Sequence, residues 1–381
     1  MNVTGWIFFV YLVSMVSTFA QQSSKEIIYL GTYSERGSEG IYVMNLDRGS
    51  GTLTPLQTVP HKNSPTFLEV HPSGRYLYAV YREGMDEDDK NGTVTAFEID
   101  QQSGKLSLLN EQSSLGAGPC HISLAPDGKF AFVSNYAGGS LAVYPVNADG
   151  SLGKAADFVQ HKGKGAHEQR QTAPHMHSVI PSENGRFIYA SDLGIDKIMI
   201  YEVNPQSGRL SAAATPYVAS QAGAGPRHFA LHPHQDYAFS IEELSSTITS
   251  YKVDKATGAL SPLQSVSALP EQVKLENNTT ADIHVSPDGK FVYGSNRGHD
   301  SIVIYAFDPE SGKMTYVGHE ASGGGHPRNF CIDQKGEFIF VANRDDDNVV
   351  SFRRNKASGR LTRLDEVRVP AAVCVRQLVL P

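Results

Sequence analysis

Four arginines, Arg227, Arg297, Arg328 and Arg344, fall at matching points of a pattern that recurs along this chain. Guanidinium groups gathered in one place repel one another unless an anion sits among them. Their fork geometry suits a carboxylate or a phosphate. His121, His175, His177 and His228, and the adjacent Glu242 and Glu243, fall at related points. A histidine or glutamate beside a bound anion can move protons near neutral pH. The chemistry these residues suggest is acid–base catalysis on a small anionic molecule, with water as nucleophile. No G-x-S-x-G elbow, H-E-x-x-H or C-x-x-C is present, so neither a serine nucleophile nor a metal site is expected, and the scheme requires no cofactor.

The stretch GPRHFALHPHQDYAFSIEEL, residues 225–244, shows how such residues are positioned. A short strand opens with Arg227 and His228, turns at 233–235, and returns to end at Glu242 and Glu243. In an antiparallel pair the start of one strand lies beside the end of the next. The Arg/His pair and the Glu pair therefore share one edge of a sheet.

The same sentence is written repeatedly. A Ser/Asp/Thr-Gly-x-Leu/Met element recurs at 50–53, 103–106, 149–152, 207–210, 257–260, 311–314 and 358–361, with glycine where a positive φ is cheap. An alternating apolar strand precedes each, among them GIYVMNL, SLAVYPV and SIVIYAF. The units open at Pro65, Pro119, Pro174, Pro226, Thr280 and Pro327, spaced by 54, 55, 52, 54 and 47 residues. That length holds four strands, as in a propeller blade. The N-terminal IIYLGTY reads as a second strand without a first, and the C-terminal VPAAVCVRQLVLP as a first strand without a second. Joined, they complete a seventh blade and leave no open sheet edge. The expectation is an all-β, seven-bladed β-propeller with four strands per blade and one blade closed by both termini, occupying 21–381 as a single domain.

In such a ring the first strand of each blade lines the central channel. One face of the disc then collects His121, His175, His177, Arg227, His228, Asp282, Arg328 and Asn329 from first-strand openings. Second-strand ends add Tyr81, Arg82, Asn135, Asp192, Glu242, Glu243, Asn296, Arg297, Asn343 and Arg344. Asparagine at a strand end also serves turn chemistry alone.

Residues 1–20 read as a secretory signal. An apolar run from Trp6 to Val16 is too short for a confident membrane span, and Thr18-Phe19-Ala20 offers a small-x-small cleavage site before Gln21. An exported protein, periplasmic or extracellular and free of the membrane after cleavage, is expected. A net charge of −7 argues against a nucleic-acid partner. Cys120, Cys331 and Cys374 are too few and too widely spaced for a disulfide framework and read as buried thiols. Two insertions interrupt the frame. MDEDDKNG, 85–92, reads as a solvated acidic loop, and the basic, glycine-rich HKGKGAHEQRQT, 161–172, either as a flap over the channel mouth or as plain surface loop.

The ordered string GPxH, PDGKF, PHxH, GPRH, a Glu-Leu strand end and SNRG resembles the bacterial 6-phosphogluconolactonase family of seven-bladed propellers, which also includes the fungal carboxymuconate cycloisomerase. The resemblance runs from about Ile27 to the C-terminus. It implies hydrolysis of a sugar-acid lactone, with cycloisomerisation of a dicarboxylate or a non-catalytic binding role as alternatives. It also implies site residues: His175 or His177 from PHxH, Arg227 from GPRH, Glu243 from the strand end and Arg297 from SNRG. Around these catalytic candidates the repeat frame sets His121, Asn135, His228, Asp282, Asn296, Arg328 and Arg344 as substrate-binding candidates. Under this scheme the arginines hold the anionic group and the developing oxyanion, and Glu243 or a PHxH histidine activates water. Glu242 replaces the family's usual asparagine, and a second carboxylate there is expected to raise the pKa of one partner.

Overall fold

In the computed structural model the structure describes residues 25–61, 63–82, 92–273 and 276–381, with Met1 and Val3. The expected signal segment, apart from those two residues, and the acidic insertion, apart from Gly92, lie outside the described residues. Twenty-eight strands form seven four-stranded antiparallel sheets arranged as the blades of a propeller. The 3-10 turn Leu193–Ile195 is the only helical element among the described residues.

Blade 1 is closed by the two termini, as the sequence predicts. Its inner strand is Ala372–Val379, paired with Glu26–Thr32 in a register running from Glu26 opposite Val379 to Thr32 opposite Ala372. Blades 2 to 7 follow in chain order, with inner strands Ser64–Val70, Pro119–Leu124, Met176–Pro181, Pro226–Leu231, Thr279–Val285 and Pro327–Ile332.

Burial changes with radius. Second strands such as Phe130–Asn135 and Tyr237–Glu242 are buried at every residue, whereas fourth strands such as Leu106–Ser113 alternate. A second strand is covered on both faces by its neighbouring blades, so its sequence is a continuous apolar run, FAFVSN or YAFSIE. The core is accordingly a ring of inter-blade clusters. In one of them Ile28 and Leu30 of blade 1 meet Phe338 and Phe340 of blade 7.

The recurring turn glycines join blades together. Gly150 has φ +83°, and a Cβ there would sit 2.2 Å from the Tyr76 ring of the preceding blade. Its carbonyl accepts the Tyr78 hydroxyl at 2.9 Å, and Gly104 and Gly359 accept Tyr29 and Tyr293 in the same way. Any side chain at these positions would strain the backbone and push neighbouring blades apart.

A second repeated device aims the channel. Each inner strand carries a β-bulge at its opening. The register shifts between Pro65 and Phe67, Pro119 and His121, Met176 and Ser178, Pro226 and His228, Thr280 and Ile283, and Pro327 and Asn329. A bulge lets two successive side chains face the same side of a strand. Thr66, Cys120, His177, Arg227 and Arg328 are the residues bulged at five of these openings, and they are presented toward the channel's opening, whereas the bulge between Thr280 and Ile283 takes in Ala281 and Asp282.

Candidate active site

At the bulged end, the channel opens into a pocket of ≈ 180 Å³. Bulged residues Thr66, Cys120, His177 and Arg328 form its floor, and Tyr33, Arg82, Tyr136, Glu243 and Arg297 form its wall. Tyr33, Tyr136 and Glu243 each follow the last residue of a second strand, while Arg82 and Arg297 are the last residues of theirs. In blades 3 and 6 the residue before the wall residue turns into the blade instead. Asn135 donates to the Ser114 carbonyl and to Ser140, and Asn296 donates to the Ala268 carbonyl. Both are fully buried and neither lines the pocket. The expectation that they bind substrate is corrected by this one-residue alternation.

Among the described residues Glu243 is the only carboxylate lining this pocket, and three guanidiniums share it. Arg227 Nε donates to Oε2 at 3.0 Å, Arg297 Nη2 lies 2.9 Å from the same oxygen, and Arg170 Nη2 donates to Oε1 at 2.5 Å. Burial would raise this carboxyl, but Arg297, Arg227 and Arg170 together hold it well below the usual carboxylate range. Such a carboxylate is a poor proton acceptor. Arg227, 1% exposed, lies beneath the pocket and also donates to the Ala281 carbonyl. Burial and the neighbouring Arg328 and Arg297 lower it to about 9, so it remains charged at neutral pH.

His177 differs in kind. It is 3% exposed, lines the pocket, and packs edge-on against Tyr136 at 5.3 Å between ring centroids. Burial, then Arg227 and His228, keep its pKa well below 6.5, so its imidazole is neutral at physiological pH. His175, the other PHxH histidine, stacks behind Tyr136 at 4.6 Å with its Nδ1 3.1 Å from the Tyr136 carbonyl, and it does not line the pocket. Cys120 is no nucleophile, because burial pushes its thiol up to about 12.

Elsewhere in the lining, Arg82 of the wall and Arg328 of the floor lie against one ring. Their Cζ atoms lie 5.6 and 5.4 Å from the Tyr33 centroid. Among the described residues, neither pairs with a carboxylate. Arg82 donates only a long 3.4 Å bond to the Tyr33 hydroxyl, and Arg328 has its ring contact and a longer-range attraction to Glu243 but no hydrogen bond among these residues. Arg297 Nε is likewise buried without a partner among the described residues. Among the described residues the mouth thus sets five guanidiniums against one carboxylate, and two of the five are uncommitted.

Arg170 was not foreseen from the repeat frame. It belongs to the 161–172 insertion, which contributes Arg170 to the pocket lining and is anchored at both ends. His161 bridges Asp192 at 2.7 Å and Tyr201 at 3.0 Å, while Gln171 donates to Asp196 at 2.5 Å and to the Leu193 carbonyl at 2.7 Å. Tyr33, Thr66 and Tyr136 also escaped the sequence reading, since nothing in their types marks them.

Arg344 stands outside the pocket, its Nε donating to Asp345 at 2.6 Å. His121, His228 and Asp282 lie deeper. His228 Nδ1 donates to Asp282 at 2.6 Å, and Asp282 also receives His284 and Asn329. They line a second chamber of ≈ 360 Å³ at the other end of the channel, with Phe67, Glu69 and Arg376. Between the chambers Thr66, Cys120, Arg227, His228, Arg328 and Asn329 close a septum with no room for water. Glu242 points into its blade toward Ser240 and Thr247. Its carboxyl is raised to about 7, as the sequence suggests for one of the pair, but the cause is burial rather than Glu243.

Fold and site together define a propeller whose channel mouth gathers guanidinium groups beside a neutral imidazole. The chain belongs to the seven-bladed β-propeller lactonases, whose family model matches residues 27–377. It is 37% identical over 310 residues to a 6-phosphogluconolactonase of Bacillus subtilis, covering 81% of this chain and 86% of that protein. A 6-phosphogluconolactonase of Formosa agariphila is 35% identical over 310 residues, covering 80% and 86%. The solved structure of a periplasmic gluconolactonase from Pseudomonas aeruginosa superposes with a TM-score of 0.87 at 33% identity, covering 94% of this chain and all of that one.

Proposed function

We infer that this chain is a lactone hydrolase, and we propose that its substrate is an anionic sugar-acid lactone, 6-phosphogluconolactone or a related compound. The observation that carries the anionic substrate is the pair of uncommitted guanidiniums, Arg82 and Arg328, both against the Tyr33 ring. A phosphate or carboxylate there gains charge-assisted hydrogen bonds and relieves the repulsion among the arginines. The lactonase relatives do not favour the cycloisomerase and binding-propeller readings.

The reaction follows from the pocket lining. Arg82 and Arg328 hold the anionic substituent and set the lactone carbonyl toward Tyr136 and His177. His177 takes a proton from water as the water oxygen bonds to the carbonyl carbon. The oxyanion so formed lies among guanidinium donors. It collapses by breaking the ring C–O bond, and the departing alkoxide recovers the proton from His177, giving the open acid. Glu243 fixes the geometry and charge of Arg227 and Arg297 rather than acting as base. The scheme needs no metal or cofactor.

The leader-like residues 1–20 and the periplasmic P. aeruginosa relative support export. N-terminal sequencing of protein from the producing cell is expected to begin at Gln21. An unprocessed N-terminus recovered from the cytoplasm would overturn that reading. The function itself is tested by hydrolysis of 6-phosphogluconolactone and unphosphorylated gluconolactone, corrected for spontaneous opening, in the wild type and His177→Gln. A rate above background that His177→Gln abolishes, with the phosphorylated lactone preferred, is the expected result. A preference for the neutral lactone would remove the anionic substrate class.

A further inference from the structure

Arg170 is the one guanidinium of the mouth that no blade supplies. The segment carrying it is built to deliver it. Gln171, next in sequence and 1% exposed, is pinned to Asp196 and Leu193 by its side chain, which also accepts the His167 amide at 2.8 Å. The turn closes with Gln171 N on the His167 carbonyl and Gly165 N on the Gln171 carbonyl. The pinned residue fixes where Arg170 starts. Its guanidinium then reaches 73 residues along the chain to Glu243 and touches the Tyr136 hydroxyl at 3.3 Å. Both bonds come from Nη2. Among the described residues Nη1 and Nε have no hydrogen-bond partner, and the side chain is 39% exposed on the pocket wall.

Its position on the wall separates it from the two uncommitted cations. Arg82 and Arg328 gather round Tyr33, whereas Arg170 stands with Tyr136, beside which His177 packs. Arg227 and Arg297 are buried, and each spends a hydrogen bond on a backbone carbonyl as well as on Glu243. Arg170 is therefore the cation at the imidazole end of the pocket with N–H groups still to give.

The geometry points to Arg170 as a catalytic residue of the lactonase reaction, donating to the oxyanion that forms on the lactone carbonyl when water adds beside His177. Glu243 holds it in place through Oε1, leaving its remaining N–H groups for the substrate. This assignment rests on the lactonase reading above. It makes a distinction that charge alone would not. A donor to the oxyanion serves every lactone the enzyme opens, whereas Arg328 serves only those carrying an anionic substituent.

The test is steady-state kinetics of the full chain on 6-phosphogluconolactone and gluconolactone for the wild type, Arg170→Ala, Arg170→Gln and Lys164→Ala, an exposed control in the same segment. Arg170→Ala is expected to lower kcat on both lactones by roughly 10²-fold, the loss of one oxyanion donor. KM should change little, and millimolar guanidinium ion should restore part of the rate. Lys164→Ala should match the wild type. Arg170→Gln gives the same reading if the alanine variant does not fold. An undiminished kcat, a loss confined to the phosphorylated lactone, or a loss that guanidinium does not restore and that comes with a shifted acid limb of the pH profile would overturn the assignment. The last of these would make Arg170 a positioning residue for Glu243. An inactive wild type would overturn the lactonase reading and this assignment with it, whereas an active wild type with an equally active Arg170→Ala overturns this assignment alone.

Discussion

The two ends of the central channel are built from the same seven inner strands, yet they treat charge in opposite ways. In the far chamber every charge is answered. Glu69 is met by Arg376 at 3.1 Å, and Asp282 receives His228, His284, Asn329 and two backbone amides. At the mouth, Arg227, Arg297 and Arg170 crowd onto one carboxylate while Arg82 and Arg328 have none among the described residues. Size would favour the far end, since that chamber is the larger, ≈ 360 against ≈ 180 Å³. What marks a site is the interaction the protein leaves unfinished, because only a ligand can complete it. A neutralised cavity gains much less from being filled.

The sharpest way to break this contrast is to remove the one anion the described residues place at the mouth. Glu243→Gln leaves Arg227, 1% exposed, and Arg297, 7% exposed, without a counter-charge. Breaking a buried ion pair by removing one partner costs about 3–5 kcal/mol. The variant should therefore unfold at markedly lower denaturant, and inorganic phosphate should recover part of the loss by taking the place of the carboxylate. Equal stability of variant and wild type in phosphate-free buffer would mean that the arginines are solvated, and the contrast between the two ends would collapse.

A carboxyl one residue away should behave in the reverse sense. Glu242 is raised from 4.5 to about 7 by burial, partly offset by Ser240 and Thr247. Between those values the folded chain holds a proton that the unfolded chain has released. Stability attributable to this group is intact below pH 4.5 and falls as pH rises toward 7, by at most about 3 kcal/mol. Glu242→Gln removes the dependence, so the variant should be the more stable at pH 8 and show no such advantage at pH 4.5. Chemical denaturation at the two pH values checks this. A wild-type-to-variant difference that does not change with pH would show that Glu242 reaches solvent.

Arg328→Ala separates binding from folding. The side chain has no partner to strand, so its loss should leave the melting temperature unchanged or raise it. It should lower kcat/KM on the phosphorylated lactone by roughly ten- to a hundredfold, the worth of about 1.5–3 kcal/mol for hydrogen bonds to a charged group. Gluconolactone should hardly notice. Equal losses on both lactones would place Arg328 at the carbonyl instead. The pH profile of kcat/KM adds a smaller effect. Since burial and Arg227 keep His177 neutral well below pH 6.5, the rate should stay level as pH falls from 8 through 6.5, with the acid limb only beyond. An acid limb at 6.5 or above would point to a solvated imidazole as the base.

Much of this was legible in the sequence, and the missing part has one cause. Seven turn motifs and two complementary termini gave the blade count, because repetition survives in the letters. Arg227, Glu243, Arg297, Arg328 and His177 could be gathered at one mouth for the same reason. Strict alternation fails at the bulges. There Arg227 and His228, or Cys120 and His121, both face the channel, and a period of two has no place for the pair. It also cannot tell which of Glu242 and Glu243, or of Asn296 and Arg297, turns into the pocket. Arg170 lies in the one described insertion that obeys no repeat, so only its three-dimensional anchoring by Gln171 and His161 reveals where it goes.

The smallest expected effect completes the contrast. Glu69→Gln removes a carboxylate from the far chamber, leaving Arg376 with the Val375 carbonyl at 2.8 Å and the Phe67 ring at 4.5 Å as partners. The septum separates that change from the mouth, and sites that share no partner act nearly independently. Activity on either lactone should stay within about twofold of the wild type. The Phe67 ring is the path nearest this change by which the two ends could communicate. It packs on His121 at 4.3 Å and on His228 at 5.9 Å, and His228 in turn packs on His177 at 5.3 Å. If Glu69→Gln lowers kcat severalfold while the melting temperature holds, the imidazole layer transmits the loss. The far chamber would then be part of the catalytic apparatus rather than its neutral counterpart.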